Sequence, residues 1–215
     1  MFDKEQFRKY EQFFIEKDEN RPSFVLAEGQ GAVIISAPHS TEQTRNGKMK
    51  YAEPQTGALA QLLHDKLGCH VIYKTKNCND DANFDKVSSY KQALCDYVKD
   101  KKIAFLLDLH QLSPTRRVGV NIGTGKYKNI SSARFADMAV DAFVSQGIQS
   151  VIIDKPFAGA YPYTVSSYVA SACGISCLQI EINSAIVRAD TQAEQIFNAW
   201  AQLIRKLNQI VQGEE

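Results

Sequence analysis

Two stretches of the chain run apolar and then turn polar, Val33-Ile34-Ile35 and Ile103-Ala104-Phe105-Leu106-Leu107, and a third, from Ile175 to Ile182, is apolar on one side and polar on the other. A strand that is apolar on both faces must be covered on both faces, which is the situation of an inner strand with helices above and below it. Helical spacing of apolar residues fills the intervals. It occurs over residues 2–17, from Ala58 to Leu67 before Gly68, from about Val87 to Lys99, and from Ser131 or Ser132 to Gln146. A short helix near Val165 to Ala172 and a last one from about Thr191 to Val211 complete the set. Further short strands read at Phe24-Val25-Leu26, Val71-Ile72-Tyr73, Val118 to Ile122 and Ile148 to Ile153. The first of these and Val33-Ile34-Ile35 flank Glu28-Gly29-Gln30-Gly31, a hairpin-like turn.

Strands alternating with helices predict an α/β fold. The expected form is a three-layer sandwich, with a mostly parallel or mixed central sheet and helices on both faces. No linker, composition shift or internal repeat divides the 215 residues, so a single domain over residues 1–215 is expected.

Composition narrows the function. Hydrophobic residues at 44% and charged residues at 23% exclude a disordered chain. A formal charge of +1 provides no general field, so neither nucleic acid nor a membrane is expected as a partner. No apolar run is long enough to span a bilayer. Charges from Asp3 to Glu11 leave no signal-peptide core. The five cysteines include no Cys-x-x-Cys pair, so reduced thiols and a cytoplasmic location are expected, with Cys177 a packing residue.

The apolar strands end in groups that carry chemistry. The first is followed by His39 and, three residues on, by Glu42; the second ends at Asp108 and His110; the third carries Gln179, Glu181 and Asn183. Sites on open α/β sheets form outside the carboxyl ends of the strands, so parallel neighbours would bring these groups into one crevice. Two His and one Glu form a recognised catalytic zinc set with an open position, and His39, Glu42 and His110 would supply it. The spacing favours Glu42 as the acidic ligand, with Glu53 the alternative. Asp108 lies two residues before His110, on the same strand face, where it would orient an imidazole. Glu181, inside an apolar strand, would serve as general base on the attacking water. His64 and His70 read as surface or helix-end residues.

At this point the segments PHSTE, LDLH, PFAGAY and QIEIN, in that order, resemble the N-formylglutamate amidohydrolase family, which is similar in fold to the zinc carboxypeptidases. The resemblance runs from about Val33 to Arg188. It implies zinc on His39, Glu42 and His110, Glu181 as base, and a substrate-side loop from Pro156 to Thr164. The chain departs from the family at Thr41 and at Gly159-Ala160, where glycines are usual. It also lacks a clear Arg-containing segment, Asp80 to Asp85 being the nearest stretch. These departures mark a divergent branch.

The expected activity is metal-dependent hydrolysis of the amide of a small acyl-amino acid such as N-formylglutamate. The alternatives are carboxypeptidase-like cleavage of peptides or cell-wall fragments, and a non-catalytic metal- or ligand-binding relative. A substrate carboxylate calls for a cation, and the planar fork of Arg suits it. Arg45 is the first candidate, placed with Glu181 in the catalytic set, and Arg188 the second; Arg116, Arg117 and Arg134 rank below them. Tyr161, Tyr163 and Thr164 would line the substrate pocket.

Overall fold

Alternation along the inner strands sorts the apolar side chains into two layers. The computed structural model describes residues 1–213. On β2 (Val33–Ala37), Val33, Ile35 and Ala37 join one apolar cluster and Ile34 another. β5 (His70–Lys74) divides in the same way, Val71 and Tyr73 against Ile72. So does β6 (Phe105–Leu112), with Phe105, Leu107 and Leu109 against Leu106. This is the period of two that sends successive side chains to opposite faces.

The larger cluster is closed by α1 (Lys4–Ile15), α2 (Pro54–Leu67), α4 (Arg134–Ser145) and α7 (Asp190–Gln212), which contribute Phe7, Leu62, Phe143 and Trp200 among others. The smaller is closed by α3 (Ser89–Asp100) and α5 (Val165–Cys173), through Tyr90, Leu94, Val98, Val165 and Val169. Each such side chain, fully buried, contributes roughly 1.5–3 kcal/mol. Cys177 packs in the smaller cluster. Among the described residues, no helix is long and apolar enough to cross a membrane.

The expected three-layer α/β architecture is what the chain adopts, and the sheet is mixed. Its order is β1 (Phe24–Ala27), β5, β2, β6, β9 (Ser176–Asn183), β7 (Val120–Gly123) and β8 (Val151–Ile153). β5, β2, β6 and β9 are parallel. β1 pairs antiparallel with β5, β7 antiparallel with β9, and β8 runs parallel to β7.

β1 and β2 are not a hairpin, because β5 lies between them. Residues 28–31 run instead along the start of β5: the Gln30 N–H donates to the Gly68 carbonyl at 2.6 Å, and the Gly29 N–H to Nδ1 of His70 at 2.9 Å. A Cβ on Gly29 would stand 2.3 Å from that Gly68 carbonyl oxygen, so glycine is required by close approach rather than by a hairpin turn. His70 is thereby buried, not at the surface.

A real hairpin occurs where none was expected. β3 (Gln43–Arg45) and β4 (Lys48–Lys50) pair across Asn46-Gly47, whose φ values are 52° and 71°. Asn-Gly is the pair that two-residue hairpin turns prefer, because both positions need left-handed backbone. The short helix α6 (Ser184–Arg188) then leads from β9 toward α7.

Candidate active site

The smaller helical layer covers only part of its face of the sheet. Toward the carboxyl ends of the central strands, the residues on that face change from apolar to polar. Ile34 gives way to Ser36 on β2, Leu106 to Asp108 and His110 on β6, and Cys177 to Gln179, Glu181 and Asn183 on β9. β2, β6 and β9 are parallel neighbours, so these ends lie side by side, and His110 is directly paired with Glu181 in the register. Beyond β2 the chain turns at Pro38-His39, and the Ser40 hydroxyl pins the turn by donating to the carbonyls of Ala37 (3.0 Å) and Lys74 (2.6 Å).

Glu53 completes the group. It precedes Pro54 at the start of α2, and its N–H donates to the His39 carbonyl at 2.8 Å. Its Oε1 is 3.2 Å from Nδ1 of His39 and its Oε2 is 3.6 Å from Nδ1 of His110. The two rings stand 4.8 Å apart at 75°. One donor atom from each of His39, Glu53 and His110 lies within 4.8 Å of the others.

The far nitrogen of each imidazole meets a buried carboxylate. Nε2 of His39 is 2.9 Å from Oδ1 of Asp81, and Nε2 of His110 is 3.2 Å from Oδ2 of Asp108. Inward-facing Nδ1 atoms, each ring held from behind by a carboxylate, form the arrangement that metal-ligating histidines use. Together with the Glu53 oxygens they provide the nitrogen and oxygen donors that zinc takes, so the residues present fit the ion.

The electrostatics follow from this packing. Burial alone would raise the Glu53 carboxyl, but the charge of His39 and the bonds from both imidazoles outweigh it and hold the group at about 2. Burial likewise opposes the charge on each imidazole. Glu53 and Asp81 nevertheless raise His39, and Asp108 and Glu53 raise His110 well above its ordinary value. Glu181 goes the other way. Burial pushes it up to about 7, with His110 drawing it only partly back. The amide of Gln179 donates to its Oε1 at 2.9 Å. A largely buried carboxyl poised near neutrality beside a donor cluster is what a general base needs.

His39, His110 and Glu181 therefore come together, whereas Glu42 does not join them. Its carboxylate pairs with Lys17 at 2.7 Å. Past the turn the chain leaves the sheet end to enter β3, and its backbone returns to His39 at Glu53. Arg45 reaches the cluster through Asp81, its Nε donating to Oδ2 at 2.8 Å. Its guanidinium lies 4.7 Å from the centre of the Phe84 ring. Phe84 stacks on Tyr161 (5.7 Å, 20°), and Tyr161 meets Tyr163 edge-on at 5.3 Å. The loop from Pro156 to Thr164 is thus docked on the polar loop after β5. Lys91 fastens the two, its Nζ donating to the carbonyls of Asp85 (2.6 Å) and Tyr163 (2.7 Å).

Thr164 is committed to structure: its hydroxyl caps α5 and donates to the Tyr161 carbonyl at 3.0 Å. Arg188 is exposed at the rim of a separate cavity of about 700 Å³, which Lys17 and Glu42 also line and which none of His39, Glu53 and His110 reaches. Asp81 went unrecognised as a partner of His39, because nothing in the polar run Asn79 to Asp85 singles it out.

No known family model matches the chain, and no curated protein matches its sequence. Solved structures do match in fold. N-formylglutamate amidohydrolase from Ralstonia eutropha JMP134 aligns with a TM-score of 0.63 at 14% identity, over 89% of this chain and 99% of that one. A bacteriophage poly-gamma-glutamate hydrolase aligns with a TM-score of 0.56 at 15% identity, over 94% of each chain. The tripeptide-bound cell shape determinant Csd4 from Helicobacter pylori aligns with a TM-score of 0.56 at 12% identity, over 86% of this chain and 55% of that one. The likeness to N-formylglutamate amidohydrolase read from the four motifs is borne out as a shared fold.

Proposed function

We propose that the protein is a zinc-dependent amidohydrolase acting on the amide of a small acyl-amino acid or peptide. The observation that carries this reading is the pair of inward-facing imidazoles bridged by Glu53, each backed by a buried aspartate, with Glu181 alongside. The named activities of two fold neighbours, N-formylglutamate amidohydrolase and poly-gamma-glutamate hydrolase, support the class of bond.

His39, Glu53 and His110 would hold the ion, which supplies Lewis-acid polarisation of the scissile carbonyl and acidification of water. Asp81 and Asp108 keep each imidazole in the orientation and tautomer that leave Nδ1 available. Glu181 accepts the proton of the attacking water and returns it to the leaving amine. Arg45 is held by Nε on Asp81; among the described residues its terminal nitrogens meet no hydrogen-bond acceptor, and they present a fork to a substrate carboxylate. The exposed Tyr161 ring walls the same side, and Thr164 holds the loop that carries it. Arg188 would meet only a substrate that reaches its separate cavity.

The test joins metal analysis to turnover on N-formylglutamate, other N-acyl-amino acids and dipeptides. About one zinc per chain and metal-dependent release of an amino acid are expected. A metal-free preparation with full activity would overturn the proposal.

A further inference from the structure

Glu181 has a second neighbourhood, on the side away from Asp81. There the loop after β6, β8 and the segment after it border an open cavity of about 460 Å³, lined by Arg116, Arg117, Val118, Ile152 and Lys155 among others, with the three cations exposed. Three of these residues are cationic and none is acidic. Among the described residues, no carboxylate pairs with Arg116, Arg117 or Lys155. The Arg116 guanidinium lies 5.0 Å from the centre of the Phe157 ring, which restrains a side chain that would otherwise move freely.

Both walls of this cavity are tied to the strand that carries Glu181. The Asn183 side-chain amide donates to the carbonyls of Arg116 (2.9 Å) and Val118 (3.1 Å). Asn183 is two residues along β9 from Glu181, a distance of about 7 Å. On the other wall, the Phe157 N–H donates to Oδ1 of Asn121 at 2.8 Å, and Asn121 is paired with Glu181 across the sheet. The cavity therefore lies on the β7–β8 side of the base, with Ile152 two strands (about 10 Å) from Glu181, opposite the flank where Arg45 sits on Asp81.

We infer that this cavity is a second carboxylate-binding subsite, and that the substrate is an acidic chain bearing carboxylates on both sides of the bond to be cut. The inference rests on the proposed hydrolase reading. Arg116 and Arg117 offer forked donors to one carboxylate, Lys155 adds a point charge, and Val118 and Ile152 form an apolar floor. A substrate that ends at the scissile acyl group, as a formyl group does, would leave these cations unused.

The probe is a trimer of γ-linked glutamate, compared with the same trimer carrying amides in place of its free α-carboxyls. Binding is measured by calorimetry on the wild type, on Arg116→Ala/Arg117→Ala and on Lys155→Gln, with zinc content and Tm recorded for each. The wild type is expected to bind the acidic trimer about tenfold more tightly than the amidated one, a preference that the double variant loses and Lys155→Gln weakens. A double variant that is folded, holds zinc and keeps the full preference overturns the inference. Lys155→Gln provides the same test should the double variant not fold. Inorganic phosphate that displaces the trimer from the wild type but not from the double variant would make this a general anion site and also overturn it. The two proposals can fail separately. A retained preference for the acidic trimer with no turnover of any amide defeats the hydrolase reading alone, whereas turnover with no such preference defeats the subsite alone.

Discussion

Asp81 grips His39 from the side opposite Glu53, with Oδ1 2.9 Å from Nε2 of the imidazole. Its other oxygen takes the Nε–H of Arg45 at 2.8 Å. One buried carboxylate thus fixes a donor of the candidate metal centre and the cation beside it. Asp81→Asn is expected to weaken zinc binding by about 10- to 100-fold and to raise KM for carboxylate-bearing substrates. Competition with a chelator of known affinity, run beside steady-state kinetics, measures both. A variant with unchanged zinc affinity would remove Asp81 from the site.

Glu53, not the Glu42 that spacing favours, lies between the two imidazoles. Glu53→Gln is expected to lose zinc on dialysis, because it removes the charged oxygens between the two imidazoles. Glu42→Gln breaks only a partly exposed pair with Lys17, worth about 0–1 kcal/mol, and should keep zinc and activity. Metal content of the two purified variants decides between them, and the opposite pattern would restore Glu42 as the ligand.

Glu181 makes stability and activity depend on pH in opposite senses. In the metal-free protein its carboxyl is raised from 4.5 to about 7, so the folded state binds its proton more tightly than the unfolded chain does. Its contribution to stability is therefore full below 4.5 and is lost as pH rises through about 7. Glu181→Gln does not titrate. Relative to the wild type it should gain on the order of 3 kcal/mol across that interval, read from urea unfolding at a series of pH values. The same substitution should keep zinc and abolish turnover. In the wild type, kcat/KM should rise with pH as the base ionises, with its midpoint at or below about 7 because a bound cation favours the carboxylate. A flat stability difference between the two proteins would contradict the burial argument.

Zinc must compete with protons for both imidazoles, which neighbouring carboxylates raise above their ordinary value. Binding near neutral pH should therefore release about one to two protons per ion, and affinity should fall as pH falls. Calorimetry in buffers of different ionisation enthalpy counts them. Zinc at a hundredfold excess over its Kd should add about 2.7 kcal/mol of stability, removable by a chelator.

Gly57, in the first turns of α2, tests the scaffold rather than the chemistry. A Cβ there would stand 2.5 Å from the Phe14 ring and 2.6 Å from the Cβ of Ser40. Alanine is the better helix former, yet Gly57→Ala should destabilise by about 1–3 kcal/mol, because α1 must move away or the turn at His39 must shift. Thermal unfolding measures it, and a stabilised variant would show that this packing gives way easily.

The layered sheet was legible because it rests on burial. Val33-Ile34-Ile35 and Ile103 to Leu107 are apolar on both faces, Ile175 to Ile182 on one, and all three occupy the centre of the sheet. His39, His110 and Glu181 were legible because polar residues closing such runs must lie at strand ends. Glu53 stood only as the alternative to Glu42, since what brings it to His39 is a backbone bond closing a 14-residue excursion, which no side-chain spacing records. Asp81 was hidden for the same reason, as its 42-residue separation from His39 is bridged only by the folded loops. The false hairpin at residues 28–31 came from reading Gly29 as a turn when it marks a close approach to Gly68. The true hairpin was announced by Asn46-Gly47 and masked by the polar residues around it.

The bond between the Glu53 N–H and the His39 carbonyl also separates two kinds of evolutionary freedom. It ties off the segment between the two residues like the neck of a loop, while Lys48 to Tyr51 stand in solvent. Residues 46–51 can be lengthened, shortened or exchanged without altering where the two donors meet. Arg45 belongs to the same excursion but is tied back through Asp81 to His39, so its position is not free in the way that of residues 46–51 is. The tip of the excursion is thus free to vary, while its base is held at both ends by the site.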